Sequence, residues 1–328
     1  MRDKPEVVCV GILVADIISG ALPRLPRPGE LMLTERILLS AGGLPVNAAV
    51  SLTRLGFEAG VVGKVGKDPL GPFIVDYLKE QKVDTRGIRS SKEASTSSTM
   101  IILTESEDRR FIHTLGASAD FSIDDLDFEY IRGAKVLYLG GYFAMPRLTQ
   151  SSLVKLFKFA REGKTITVLD VVAPHSGVNL LAQCREVLKY TDVFLPNDDE
   201  ARIITRESDP LKQAEVFLKF NPEMTVVITR GRKGSLARTR DKIVRASVYP
   251  VKVVDPSGGG DAFDAGFIVG LLKGWDVEQT LKFASAIGAS SVTAMGCTTG
   301  IFTMKEALNF IKDNTLKIEV ENHSLLIG

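Results

Sequence analysis

Val253-Val254-Asp255-Pro256-Ser257-Gly258-Gly259-Gly260-Asp261-Ala262-Phe263-Asp264-Ala265-Gly266 is the most informative stretch of this chain. It passes from a strand-like apolar pair through a glycine-rich turn into a helical pattern. Three successive glycines let the backbone curl with its N–H groups facing one point. The helix that follows adds the positive end of its dipole. Together they predict an anion hole. Asp261 falls at the helix start, where one reading is an N-cap carboxylate. The other is a general base beside the hole. Phosphoryl transfer to an alcohol needs that pair: one group takes the hydroxyl proton and another holds the transferring charge. Glycine-rich helix starts recur across many folds, so the local sequence leaves both readings standing.

Outward from this turn, short apolar runs alternate with helical patterns. Residues 7–13 are apolar on both faces, as a central parallel strand covered by helices would be. Residues 45–55 have helical spacing, with Pro45 tolerated in the first turn and Gly56 as a stop. Further strands are expected at 61–62, 136–139, 165–169, 193–195 and 225–229, and helices at 73–80, 153–161, 198–205, 261–272 and 277–290. This alternation predicts a parallel sheet with helices on both faces. Residues 31–39 and 96–114 break the pattern and alternate apolar with polar, as antiparallel strands with one wet face would. They predict a small sheet inserted as two excursions, at about 17–40 and 96–115, into a single domain spanning 1–328. A last strand is expected at 317–320, and nothing else is read in 313–328.

Composition narrows the function classes. The 328 residues are 45% hydrophobic and 25% charged, which supplies a core and excludes global disorder. Lys and Arg total 41 against 40 Asp and Glu, so no general pull toward nucleic acid or an anionic membrane follows. Residues 283–304 carry no charge, but their serines, threonines and glycines read as a buried helix and a polar loop rather than a membrane span. The apolar run from residue 7 is closed by Asp16, which favours a strand over a signal peptide. Cys9, Cys184 and Cys297 form neither a disulfide framework nor a zinc spacing, and a reducing cytoplasm is expected. His113, His175 and His323 are too isolated for a metal cluster. A P-loop, the G-x-G-x-x-G fingerprint and the G-x-S-x-G elbow are all missing.

Four stretches, in order, resemble the signatures of the ribokinase-like (PfkB) carbohydrate kinases. Residues 255–266 are similar to that family's C-terminal signature. Gly42-Gly43-Leu44-Pro45-Val46-Asn47-Ala48-Ala49, continuing to Gly56 and Gly66, resembles its N-terminal one. Asn197-Asp198-Asp199-Glu200 matches its N-x-x-E motif, and Thr229-Arg230-Gly231-Arg232-Lys233-Gly234 its T-x-G-x-x-G strand-turn. The resemblance implies a three-layer α/β/α fold with a mainly parallel central sheet and a small β-sheet lid. It also implies ATP-dependent transfer of the γ-phosphoryl group to a hydroxyl of a sugar or sugar derivative. Asp261 would be the base, and Gly258, Gly259 and Gly260 the anion hole. Asn197 would lie beside the phosphates, and Glu200 would order Mg2+ through water. Thr229, Gly231 and Gly234 would line the nucleotide, the two glycines because a Cβ there would push adenosine away.

For the acceptor, Asp16, Gly42, Gly43 and Asn47 match the family's sugar-contacting positions. A carboxylate and an amide can each bind two hydroxyls. Taken alone, Asp16 reads as a turn residue after the first strand and Asn47 as a polar residue on a helix surface. Gly141 falls where some relatives carry a substrate-contacting side chain, and leaves space for a bulkier acceptor. His113 is either a substrate contact from the lid's return strand or a surface histidine. Some relatives bind K+ beside the hole, and Asp255 and Ser257 stand at matching positions. Relatives often pair through the lid, so a homodimer is expected, with a small sugar-like substrate and neither nucleic acid nor membrane as partner. A nucleoside kinase, with Phe111 or Phe143 walling the base, is the near alternative. A phosphosugar acceptor would need Arg36, Arg109 and Arg110 as a cationic cluster. A non-catalytic regulator would have lost the base, which Asp261 supplies.

Overall fold

A computed structural model describes residues 4–105, 110–174 and 177–323; Arg109 and His175 lie outside them. Strands are numbered in chain order. They are β1 (Val7–Gly11), β2 (Val14–Ser19), β3 (Ile37–Gly42), β4 (Ala59–Val65), β5 (Asp84–Ser90), β6 (Ser97–Ile102) and β7 (Arg110–Thr114). There follow β8 (Val136–Gly140), β9 (Ile166–Leu169), β10 (Val193–Phe194), β11 (Thr225–Thr229), β12 (Ser235–Arg238), β13 (Lys242–Ala246) and β14 (Ile318–Asn322).

The main sheet has ten strands in the order β14-β13-β12-β11-β10-β9-β8-β1-β4-β5. From β11 through to β5 neighbours are parallel. The remaining β12, β13 and β14 are antiparallel. Alternating residues of each strand feed two separate cores, because side chains switch face at every step. Val7 and Cys9 join the core under the helices Leu44–Arg54, Gly259–Lys273 and Val277–Ser291. Val8 and Val10 join the other, under Gln150–Glu162, Leu180–Leu188 and Pro210–Leu218. That is the expected three-layer arrangement. Residues 283–304 are the end of the helix Val277–Ser291 and the loop after it. Among the described residues no helix is long and apolar enough to cross a membrane.

Two strands of this sheet escape a search for apolar runs. β5 reads Asp-Thr-Arg-Gly-Ile-Arg-Ser, and β14 alternates Glu319 and Glu321 with Ile318 and Val320. Both are edges, where charged side chains discourage pairing with another chain.

The small sheet is ordered β3-β2-β6-β7. Its strands come from two stretches of the chain, 14–42 and 97–114, and their bounds differ from the alternating runs in the sequence. Only the end of residues 31–39 is extended in the sheet, within β3, and the first excursion opens with β2, directly after β1. Asp16 therefore lies inside a lid strand and is not a turn residue. The centre of this sheet is parallel, β2 against β6, and antiparallel pairs flank it. The reason is topological: β1 and β5 run parallel, and each leads its chain into the lid in the same direction.

Candidate active site

The glycine-rich turn is held by its first carboxylate. Asp255 Oδ1 accepts the Ser257 N–H (2.9 Å) and Oδ2 accepts the Gly296 N–H (3.0 Å). Val253 and Val254 are half-exposed and belong to no strand, contrary to the apolar reading of that pair. Only Gly258 needs the left-handed region, at φ +73°, and a Cβ there would lie 2.5 Å from Cys297 Cβ. Gly259 and Gly260 are already the first two helical residues. The first bond of this helix runs from the Ala262 N–H to the Gly258 carbonyl (2.9 Å), so the N–H groups of Gly259, Gly260 and Asp261 come before the ladder. No side chain caps them. A Cβ on Gly260 would meet nothing within 4 Å, so that side of the turn faces open space.

Asp261 is the third helical residue, not the N-cap; Gly258 holds that place. Its Oδ2 accepts a hydrogen bond from Asn47 Nδ2 (2.7 Å). Asn47 is buried at 4% exposure, so it is not a helix-surface residue, and its Oδ1 has no partner. Burial pushes the Asp261 carboxyl up to about 6; the Asn47 bond opposes this and the nearby Asp16 charge adds to it. Asp16 is likewise pushed up to about 6 by burial, against a hydrogen bond from Thr99. A side chain at Gly42 would collide with Asp16 Oδ2, and one at Gly43 (φ +100°) with the Ile12 carbonyl. Gly42 lets the β3 backbone close down on Asp16, and Gly43 lets the turn after it close down on the Ile12–Leu13 link.

Beside Asp261 lies a cavity of about 160 Å³, bordered by Asp170, Asn197, Glu200, Thr229 and Asp264. Asn197 caps the helix Asp198–Thr205 through a capping box: its Oδ1 accepts the Glu200 N–H (2.9 Å) and Glu200 Oε2 accepts its N–H (3.0 Å). Burial pushes Glu200 up to about 7, opposed by that backbone bond and helped by the Asp261 charge. Asp170 follows β9 and Asp264 lies one turn beyond Asp261; their carboxyls hydrogen-bond to each other. Tyr138 Oη donates to Asp264 Oδ2 (3.0 Å), and the Val171 N–H donates to Asp170 Oδ1 (2.7 Å). A bond between two carboxyls requires a proton, and burial pushes both groups well above the carboxylate range. Apart from Asp261, Glu200 is the carboxylate around this cavity whose oxygens stand outside that pair, and carboxylate oxygen suits Mg2+. Among the described residues no group of three or more His, Cys, Asp or Glu could hold a metal ion.

Past Gly260 a larger cavity of about 750 Å³ opens, and Thr229 and Gly260 border both. Gly231, Gly234, Phe263, Ala289 and Val292 line it, giving a mostly apolar slot beside the helix end. The volume and lining suit a nucleotide base and ribose. Gly234 has another reason to be glycine than room for adenosine: at φ +82° its Cβ would collide with the Ala246 carbonyl of β13. Gly141 is required by φ +82°, and the space beside it is filled by Ile12 and Leu44, 3.4 and 3.7 Å from a Cβ built there, rather than left open.

Sequence reasoning missed four residues. Asp170 stands at the carboxyl end of a parallel strand, where such sheets bind ligands, and that position was its signal. Asp264 sits one turn after Asp261 in the quoted stretch. Tyr138 had no signal, because a buried strand tyrosine is usually core. Thr99 lies in register with Asp16 on one side and His113 on the other, a relation visible only once the strands are paired.

Residues 4–304 match the family described as pfkB family carbohydrate kinase. A protein named 5-dehydro-2-deoxygluconokinase, of Clostridium botulinum (strain Alaska E43 / Type E3), is 30% identical over 323 residues, which cover 94% of this chain and 94% of that one. Probable fructokinase-6, chloroplastic, of Arabidopsis thaliana is 28% identical, covering 94% of this chain and 82% of that one. The structure of Arabidopsis thaliana ribokinase complexed with ribose and ATP superposes with a TM-score of 0.81 at 25% identity, covering 94% of this chain and 99% of that one.

Proposed function

The chain belongs to the pfkB family of carbohydrate kinases, and from that premise we propose that it phosphorylates a hydroxyl of a sugar or sugar acid with Asp261 as the base. It is a phosphotransferase with a hydroxyl acceptor and a small-molecule sugar substrate. One observation carries the residue assignment: the Asp261 carboxylate stands in the first turn of a fifteen-residue helix whose leading N–H groups have no intrahelical partner.

Asp261 accepts the proton of the acceptor hydroxyl as that oxygen bonds to phosphorus and the bond to the departing nucleotide oxygen breaks. A carboxyl at about 6 is ionised at neutral pH yet basic enough to share the proton in the transition state. The N–H groups at Gly258, Gly259 and Gly260, with the helix dipole behind them, hold the charge on the transferring oxygens. Thr229, Gly231 and Gly234 border the nucleotide slot, and Asn197 and Glu200 stand at its phosphate end. Mg2+, ordered by Glu200 through water, offsets phosphate charge when bound. Asp16, Asn47, Gly42 and Gly43 shape the acceptor site, where the unpartnered Asn47 Oδ1 accepts a hydroxyl. Gly141 packs against Ile12 and Leu44, next to the Gly43 turn, and in this reading it stands behind the acceptor site.

Three finer points belong to the same reading. Asp255 and Ser257, held together beside the hole, flank a K+ site. The lid pairs with a second copy of this chain. The cytoplasm is the compartment, which suits the buried thiols Cys9 and Cys184. The first lid excursion and the second form one lid on one kinase domain. An ADP-release assay over sugars, sugar acids and nucleosides tests the whole. Turnover on at least one sugar or sugar acid, stimulated by K+ over Na+, is expected. Turnover confined to nucleosides, or ATP hydrolysis that no acceptor stimulates, would overturn the acceptor class.

A further inference from the structure

The lid carries a row of four side chains in register: Ser40 on β3, Asp16 on β2, Thr99 on β6 and His113 on β7. Residues paired across adjacent strands point to the same face. Thr99 in this row is buried, whereas Leu39, Met100 and Ile112 on the opposite face are exposed, so the row with Asp16 faces inward. Thr99 hydrogen-bonds to Asp16, and its Oγ1 lies 3.0 Å from His113 Nδ1.

One hydroxyl links these two groups, and it has one proton. An ionised carboxylate only accepts. Thr99 therefore donates to Asp16, and its oxygen accepts from the His113 Nδ1–H. This assigns the tautomer and leaves Nε2 as the second polar atom of the ring. Burial holds the His113 ring below the usual histidine range, so without an anion nearby Nε2 is a bare acceptor. Beside an anion the ring gains a proton at Nε2 while Nδ1–H keeps its bond to Thr99. Among the described residues that pair across the four lid strands on this face, His113 is the one side chain that can become cationic; the next inward row is Leu38, Ile18, Ile101 and Phe111. His113 stands two strands from Asp16, about 10 Å backbone to backbone.

We propose that His113, positioned by Thr99, is the specificity-determining residue for an acidic acceptor, a sugar acid whose carboxylate lies under the lid at the end far from the phosphorylated hydroxyl. The inference rests on the kinase reading above. It gives the site opposite preferences at its two ends: hydroxyls beside Asp16 and Asp261, an anion beside His113.

The test compares kcat and KM for a six-carbon aldonic acid series, including its keto and deoxy forms, with neutral hexoses and hexitols of the same length. The full chain is used as wild type, His113→Asn, Thr99→Val and Thr99→Ser. Wild type is expected to prefer an acid. His113→Asn should raise KM for that acid about 10- to 100-fold, the worth of a charged hydrogen bond, with kcat and the neutral acceptors nearly unchanged. Thr99→Val should move the same ratio in the same direction, and Thr99→Ser should restore it. A wild type that prefers neutral acceptors would overturn the inference while leaving the kinase reading intact. So would a His113→Asn variant that lowers acid and neutral turnover in parallel. Absence of turnover on every acid and sugar would overturn the acceptor class itself.

Discussion

Asn47 Nδ2 lies 2.7 Å from Asp261 Oδ2, joining two helices whose residues stand 214 apart in the chain. Asn47 is thereby a partner of the proposed base as well as a candidate sugar contact. The bond stabilises the ionised carboxylate and holds Asp261 down against burial. For the wild type, kcat/KM should fall as pH drops through about 6, because the base must be ionised. Asn47→Leu removes the donor, so the acid limb of the kcat/KM profile should move to higher pH. An unmoved limb would mean that another group controls it.

Asp261→Asn removes the proposed base but keeps the size of the side chain. We expect kcat to fall about 10²–10⁴-fold, the usual worth of a positioned general base. ATP binding, followed by calorimetry, should be equal or tighter, because a negative charge has been taken from beside the phosphate site. Unchanged turnover would exclude Asp261 as the base.

The glycines of the turn should separate by function. Gly258→Ala forces a Cβ onto Cys297 at a positive φ, so stability itself should drop. Gly260→Ala has helical geometry and open space around it, so the thermal midpoint should hold. Its methyl group would stand where phosphate oxygens approach, raising KM for ATP. Loss of folding in Gly260→Ala, or an unchanged KM, would contradict the placement of the hole.

The buried pair Asp170 and Asp264 makes a prediction about stability. Both carboxyls are raised by burial, so the folded state holds protons that the unfolded chain releases. Stability from such groups is full below the unfolded carboxylate range and is lost as pH rises through the folded values. Asp264→Asn keeps an acceptor for Tyr138 Oη and removes one of the two buried ionisable groups. Its thermal midpoint should exceed that of wild type at pH 8, with a smaller gain at pH 5. The scale is on the order of 2–4 °C per kcal/mol. A larger gain at pH 5 would contradict the shared proton.

How far the sequence carries depends on where each signal lies along the chain. The parallel strands were legible because β1, β8 and β11 are buried on both faces and must be continuously apolar. The edges β5 and β14 were not, because charged edge residues erase the apolar run. Asp261 was legible because the glycines that make its hole are its neighbours. Its bond to Asn47 was not, because nothing local to either residue encodes a contact between two helix starts. Asp16 read as a turn residue for a similar reason: β2 follows β1 after only Ile12 and Leu13, so one apolar run conceals two strands in two sheets. Thr99 shows the limit most plainly. Its importance lies in its register with Asp16 and His113, and register is a property of paired strands.

The outward face of the lid supplies the last prediction. Leu39, Ile17, Met100 and Ile112 form a row in register on the face opposite Asp16. Leu39, Met100 and Ile112 are 45%, 48% and 63% exposed. A contiguous aliphatic row on a four-stranded sheet is costly to leave in water, since burying each side chain is worth about 1.5–3 kcal/mol. A second lid, presenting the same row about a two-fold axis, would cover it. Light scattering at tens of micromolar should therefore give twice the chain mass for wild type. Ile112→Lys should give a single chain mass, with its thermal midpoint falling only by the stability that pairing supplied. A monomeric wild type would refute pairing through the lid. A dimer that survives Ile112→Lys and Met100→Lys together would place the interface on some other surface.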